Sequence, residues 1–120
     1  MIFIIEDEPE LLESLSMVVE AARPQQTVKA FKSALKAYEY VRKENILERV
    51  RFIITDQNMP GMSGIEFIKI LRERGFHNKV FIFSGNYIEE EDYEGLGKIR
   101  SLHKVMDGFP KLIEEIESEP

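Results

Sequence analysis

The sequence predicts an α/β fold built on an open parallel sheet, and two observations carry that prediction. Short apolar runs recur along the 120 residues, and the segments between them place apolar residues at helical spacing. Strands buried on both faces read as continuous apolar runs, the mark of a parallel sheet covered by helices on each side. Such strands are joined by right-handed crossovers, and open sheets of this kind hold ligands at the carboxyl ends of their strands.

The elements follow in order. Ile2 to Ile5 is the first strand, and Pro9 suits the first turn of a helix that turns Leu11, Leu12, Leu15, Val18, Val19 and Ala22 inward. Thr27 to Phe31 is a second, weaker strand. Ser33 caps a helix whose Leu35, Tyr38 and Val41 share a face, and the stretch through Ile46, Leu47 and Val50 stays unassigned. Phe52 to Thr55 is the third strand. Ser63 and Glu66 form a capping box for a helix that ends at Gly75. After a fourth strand, Val80 to Phe83, Asn86 with Glu89 opens a helix that Gly95 or Gly97 stops. Ser101 to Val105 is the fifth strand. Asp107 and Pro110 start a last helix with Leu112, Ile113 and Ile116 inward, giving five strands and five helices.

Composition bounds the function. The length suits one domain over residues 1–120, and 43% hydrophobic with 32% charged residues is the balance of a soluble chain that folds alone. No run is long enough to cross a membrane, and MIFII lacks the basic flank and length of a signal peptide. The absence of cysteine excludes a disulfide framework and thiol catalysis and agrees with a cytoplasmic setting. A net charge of −6 argues against direct nucleic-acid binding. Met1 opening into the first strand and Pro120 soon after the last helix are expected of a stand-alone domain.

The residues just past the strand ends form a chemical set: Glu6 and Asp7, Asp56, Ser84, and Lys104 near the end of the fifth strand. Three carboxylates brought together repel unless a cation joins them, and a hard, oxygen-seeking ion such as Mg2+ suits acids, carbonyls and water. Lys104 adds a fixed positive charge and Ser84 a hydroxyl, which together resemble a clamp for a phosphoryl group.

At these residues the chain resembles the receiver domains of two-component response regulators. The motifs are IIEDE after the first strand, ITDQNMPGMSG after the third, FSG after the fourth and HK near the fifth, and their combined order and spacing are specific. The resemblance implies a flavodoxin-like three-layer (βα)5 sandwich with strand order 2-1-3-4-5. It implies that Asp56 is the phosphoacceptor, Asp7 a direct Mg2+ ligand, Glu6 a ligand through water and the Asn58 carbonyl another ligand, with Ser84 and Lys104 on the phosphoryl oxygens. The implied donor is a histidine kinase or histidine phosphotransfer protein, and the output is a downstream protein target met by the face of helix four, strand five and helix five. The implied chemistry is self-catalysed phosphorylation and dephosphorylation at Asp56 rather than conventional turnover, with Asn58 and Asn86 flanking the path of the hydrolytic water.

The sequence departs from the family pattern near its fifth strand. Ser101 stands where an aromatic residue is usual, with His103 on the same side by strand alternation. Val105 replaces the usual proline, so the Lys104–Val105 peptide is either trans or part of a strained loop. Two other function classes stand beside the receiver: an interaction module of the same fold that is not phosphorylated, motivated by these departures, and a haloacid-type Mg2+-dependent phosphatase, whose chemistry also uses a strand-end Asp nucleophile. The latter usually carries a second acid two residues after its aspartate, where this chain has Asn58.

Overall fold

The computed structural model describes residues 1–105 and 108–120. Five parallel strands, β1 (Ile2–Ile5), β2 (Val28–Phe31), β3 (Phe52–Thr55), β4 (Val80–Ser84) and β5 (Ile99–His103), form one sheet in the order β2-β1-β3-β4-β5. Among the described residues there are four α-helices: α1 (Pro9–Ala22), α2 (Ala34–Lys43), α3 (Gly64–Glu73) and α4 (Gly108–Ser118). Alternation along the strands builds two cores. Ile2, Ile4, Phe52, Ile54, Phe81 and Phe83 meet α1 and α4, while Phe3, Ile5, Ile53, Val80 and Ile82 meet α2 and α3. Each such Ile or Phe contributes about 1.5–3 kcal/mol by leaving water, so the three central strands are the anchor of the domain.

The helix ends follow local chemistry. In α1, Pro9 occupies the first turn, and Leu12, Leu15 and Val19 are buried, with Leu11 and Ala22 partly so. Arg23, just past its end, gives its guanidinium to the carbonyls of Ile116 and Glu119 and lies over the Phe52 ring, tying α1 to α4. The Ser33 hydroxyl of α2 accepts from the Lys36 N–H at 3.1 Å. Its inward face differs from the expected one: Ala34, Ala37 and Val41 are buried, and Leu35 is 43% exposed. The small alanines let the helix sit close to the sheet, beside the ring cluster of Phe3, Phe31 and Tyr40. Tyr38 packs partly buried against the same core, as expected, with the guanidiniums of Arg42 and Arg74 near its ring. The unassigned stretch is a 3-10 turn, Leu47–Arg49, set between buried Ile46 and Val50.

The capping box of α3 is present in both directions between Ser63 and Glu66. At the other end Gly75 takes φ +93, the Gly75 N–H reaches the Arg72 carbonyl and the Phe76 N–H reaches the Leu71 carbonyl, a paired closure that favours glycine.

The crossover from β4 to β5 corrects the sequence-based expectation. In place of a helix opened at Asn86 there is a 3-10 turn, Glu90–Tyr93. Glu89 and Asp92 close a reciprocal capping box, the Glu89 N–H donating to Asp92 Oδ2 at 3.0 Å, but Gly95 and Gly97, both at positive φ, follow at once. Too few residues remain between them to offset the cost of helix nucleation. Arg72 on α3 takes the place of a packed helix by donating to the carbonyls of Leu96 and Lys98 in the crossover and of Phe76 and Asn78 below it. β5 starts at Ile99, earlier than the expected Ser101, because it pairs with all of β4 from Val80↔Ile99 to Ser84↔His103. The cap expected at Asp107 lies outside the described residues. No peptide bond among the described residues is cis, so Lys104–Val105 is trans.

Candidate functional site

Ladder register brings the acids together. Ile5 is level with Thr55, and the Asp56 N–H donates to the Ile5 carbonyl at 2.9 Å, so Glu6 and Asp56 leave adjacent strands side by side. Glu6 is 1% and Asp56 6% exposed, whereas Asp7 is open to solvent. Glu6, Asp7 and Asp56 each offer a carboxylate oxygen within 4.8 Å of the others.

Lys104 is the cation among them. Its Nζ lies 2.7 Å from Glu6 Oε1 and 3.2 Å from Asp56 Oδ2, and its backbone N–H donates to the Ser84 carbonyl at 2.8 Å. The fifth strand thus delivers its charge across the fourth to the first and third. Burial pushes the Glu6 carboxyl up from its ordinary value; hydrogen bonds from Lys104 and the Glu8 N–H pull the other way without cancelling it. Burial alone lowers the Lys104 pKa, but the hydrogen bond to Glu6 and the charges of Asp56 and Glu6 outweigh it and hold the ammonium above its ordinary range.

Ser84 is 1% exposed, and its hydroxyl oxygen accepts the Asn86 N–H at 3.2 Å. Asn58 is exposed and lines a cavity of about 370 Å³ with Gln57, Asn86, Tyr87 and Asp92. Glu6, Asp7, Asp56 and Lys104 therefore converge directly, with Ser84 joined through its backbone and Asn58 at the margin.

Two supports escaped the sequence analysis. The Gln57 N–H donates to Asp56 Oδ1 at 2.7 Å, and its side-chain Oε1 accepts the Ile65 N–H at 2.8 Å, linking the acid to the first turn of α3. Nothing in the sequence marks that role. Gly64 lies so close that a Cβ there would run into the Asp56 carbonyl. Its position one residue after the cap, at fixed distance from Asp56, was the available signal.

Three carboxylates against one ammonium leave the cluster net negative, and its donor set is oxygen only. This fits a hard divalent cation such as Mg2+, which takes carboxylates and keeps several waters. Asp7, the exposed member, leaves room for those waters.

Solved structures share this architecture. A response regulator receiver protein from Pseudomonas putida aligns with a TM-score of 0.79 at 24% identity, covering 98% of this chain and 95% of that one. A two-component response regulator from Legionella pneumophila aligns at 0.73 and 26% identity, covering 98% and 97%. The response regulator TrrA from Thermotoga maritima, solved in complex with Mg2+-BeF, aligns at 0.76 and 20% identity, covering 99% and 97%. No curated protein matches the chain. The family model described as response regulator receiver domain matches residues 2–114, and with nearly the whole chain inside that match the protein belongs to the response regulator receiver domain family.

Proposed function

We propose that residues 1–120 act as one phosphoacceptor receiver domain, in which Asp56 takes a phosphoryl group from a phosphohistidine of a histidine kinase or histidine phosphotransfer protein. The observation that carries this reading is the contact of Lys104 with both Glu6 and Asp56 beside the open Asp7 carboxylate. An Asp56 oxygen attacks the phosphorus, the phosphorus–nitrogen bond to imidazole breaks, and the imidazole nitrogen takes a proton as an acyl phosphate forms on Asp56. Asp7, Asp56, the Asn58 carbonyl and, through water, Glu6 would hold Mg2+, which would supply positive charge against the phosphoryl oxygens. Lys104 moves its ammonium from the carboxylates to a phosphoryl oxygen, and the Ser84 hydroxyl donates to another. Water later attacks the phosphorus, returning Asp56 and free phosphate, with Asn58 and Asn86 along its path.

The output is a protein contact made by β5 and its neighbours. The helix once expected to share that face is replaced by the Glu90–Tyr93 turn. Action in the cytoplasm belongs to the same proposal; no helix among the described residues is long and apolar enough to cross a membrane. A second reading, a domain of this family that works without phosphorylation, is favoured by Ser101 in place of an aromatic and by the missing crossover helix.

Intact mass after incubation with Mg2+ and acetyl phosphate separates them. A single phosphoryl adduct, absent in Asp56→Asn, is the expected result. No adduct and no Mg2+-dependent fluoroberyllate binding overturns the proposal in favour of the second reading. Rapid multiple turnover of phosphate esters points to the haloacid-type chemistry instead.

A further inference from the structure

β1, β3 and β4 are buried at every position, but in β5 only Leu102 is. Leu102 packs on the α1 and α4 side, so alternation turns Ile99, Ser101 and His103 to the side of α2 and α3, where Ile99 touches that core. Among the described residues, no α-helix lies in the crossover on this side; Ile88, Leu96 and Tyr93 of the 3-10 turn Glu90–Tyr93 pack with Ile99 against the core there. A groove of about 540 Å³ lies between that turn and β5. Ile88, Tyr93 and Ile99 give it an apolar floor, and Ser101 lines it with a small side chain.

Its rim on the crossover side is acidic, while Arg100 and His103 line the β5 side. Glu89, Glu90 and Glu91 line it, and residues 85–97 contain no Lys, Arg or His. Arg100, across the groove, has its guanidinium on the Glu115 carboxylate at 2.8 Å, so its charge is already matched. Tyr87, 78% exposed, adds an apolar surface at the lip.

We propose that this groove seats one amphipathic helix from a partner protein, with its apolar face on Ile88, Tyr93 and Ile99 and Lys or Arg residues facing Glu89, Glu90 and Glu91. The partner's helix completes the layer that this chain leaves open, and charge complementarity selects a basic one. A second copy would bring the same acidic rim against this one, and nucleic acid is repelled by it. The proposal rests on the reading of the domain as a signalling module that acts through protein contacts and adds the chemistry of the partner.

The probe is a synthetic amphipathic helical peptide of Leu and Lys, compared with its Leu and Glu counterpart, each titrated into the isotope-labelled domain at low salt. The expected result is amide shift changes confined to residues 87–103 and binding at least about tenfold tighter for the Lys peptide. Glu89→Lys, Glu90→Lys and Glu91→Lys together should weaken it at least about tenfold, whereas reversing Glu10, Glu13 and Glu20 on α1 alters net charge equally and should change it less than about twofold. Ser101→Trp, checked for a cooperative melt, should block the groove. Shifts outside 87–103, equal loss in both charge reversals, equal binding of the Glu peptide, or self-association mapped to the groove each overturn the proposal. The Asp56 adduct is scored in the same samples by mass. An adduct without docking rejects the groove alone, and docking without an adduct rejects the phosphoacceptor reading alone.

Discussion

The centre of the sheet and its β5 edge are built to different rules. Around β1 and β3 each strand is buried on both faces, and α3 is capped at both ends, so Glu6 and Asp56 are held at 1% and 6% exposure. Around β5 the strand is half exposed, the crossover has no α-helix, and one guanidinium on four carbonyls adds to the packing of Ile88, Tyr93, Leu96 and Ile99. The difference teaches that chemistry needing fixed atoms sits where packing is complete, and a surface meant to meet partners sits where it is not.

The sharpest way to break that contrast is to make one substitution in both regions. Gly64→Ala should cost about 3 kcal/mol or more, because its methyl meets the Asp56 backbone rather than a yielding side chain. Gly85→Ala, with nothing near its Cβ and no positive φ, should stay within about 1 kcal/mol of the wild type. Urea unfolding measures both, and similar losses would erase the distinction. Arg72→Met should cost about 2 kcal/mol, since burial already disfavours its charge and its four carbonyl partners lose their donor. Hydrogen exchange should then quicken at residues 94–98 while β1 and β3 keep their protection. Ser63→Ala removes the α3 cap and should cost about 1 kcal/mol in the same unfolding assay.

The smallest effect is one of pH. The Lys104 pKa is raised above 10.5 in the folded state, so its stabilisation is fully present below pH 10.5 and is lost as pH rises through the raised value. The gap in melting temperature between wild type and Lys104→Met should narrow at that alkaline end. A gap independent of pH would show that Lys104 acts through packing alone.

The sequence made the centre legible and the β5 edge only in outline. Apolar runs set the strands, the Ser63 and Glu66 pair set the start of α3, and the acids at strand ends set the cluster, because each rests on local pattern. Leu35 was misplaced because a helix with alanines on its inner face buries small residues and leaves a larger one outside. The crossover helix failed because cap and stops are both present but too close together: the Glu89–Asp92 box and the glycines at 95 and 97 leave room for one 3-10 turn. The contacts of Gln57 and Arg72 depend on elements distant in the chain and have no local signature.

The pairing of Ile5 with Thr55 has a consequence for how the chain can vary in length. Side chains in a strand alternate, so inserting or deleting one residue in β1 or β3 would turn the next acid to the opposite face. Neither strand has a residue to spare between its start and its carboxylate. The crossover between β4 and β5 carries no such ruler, so descendants of this chain can gain or lose residues there, changing what they bind while the acids stay where they are.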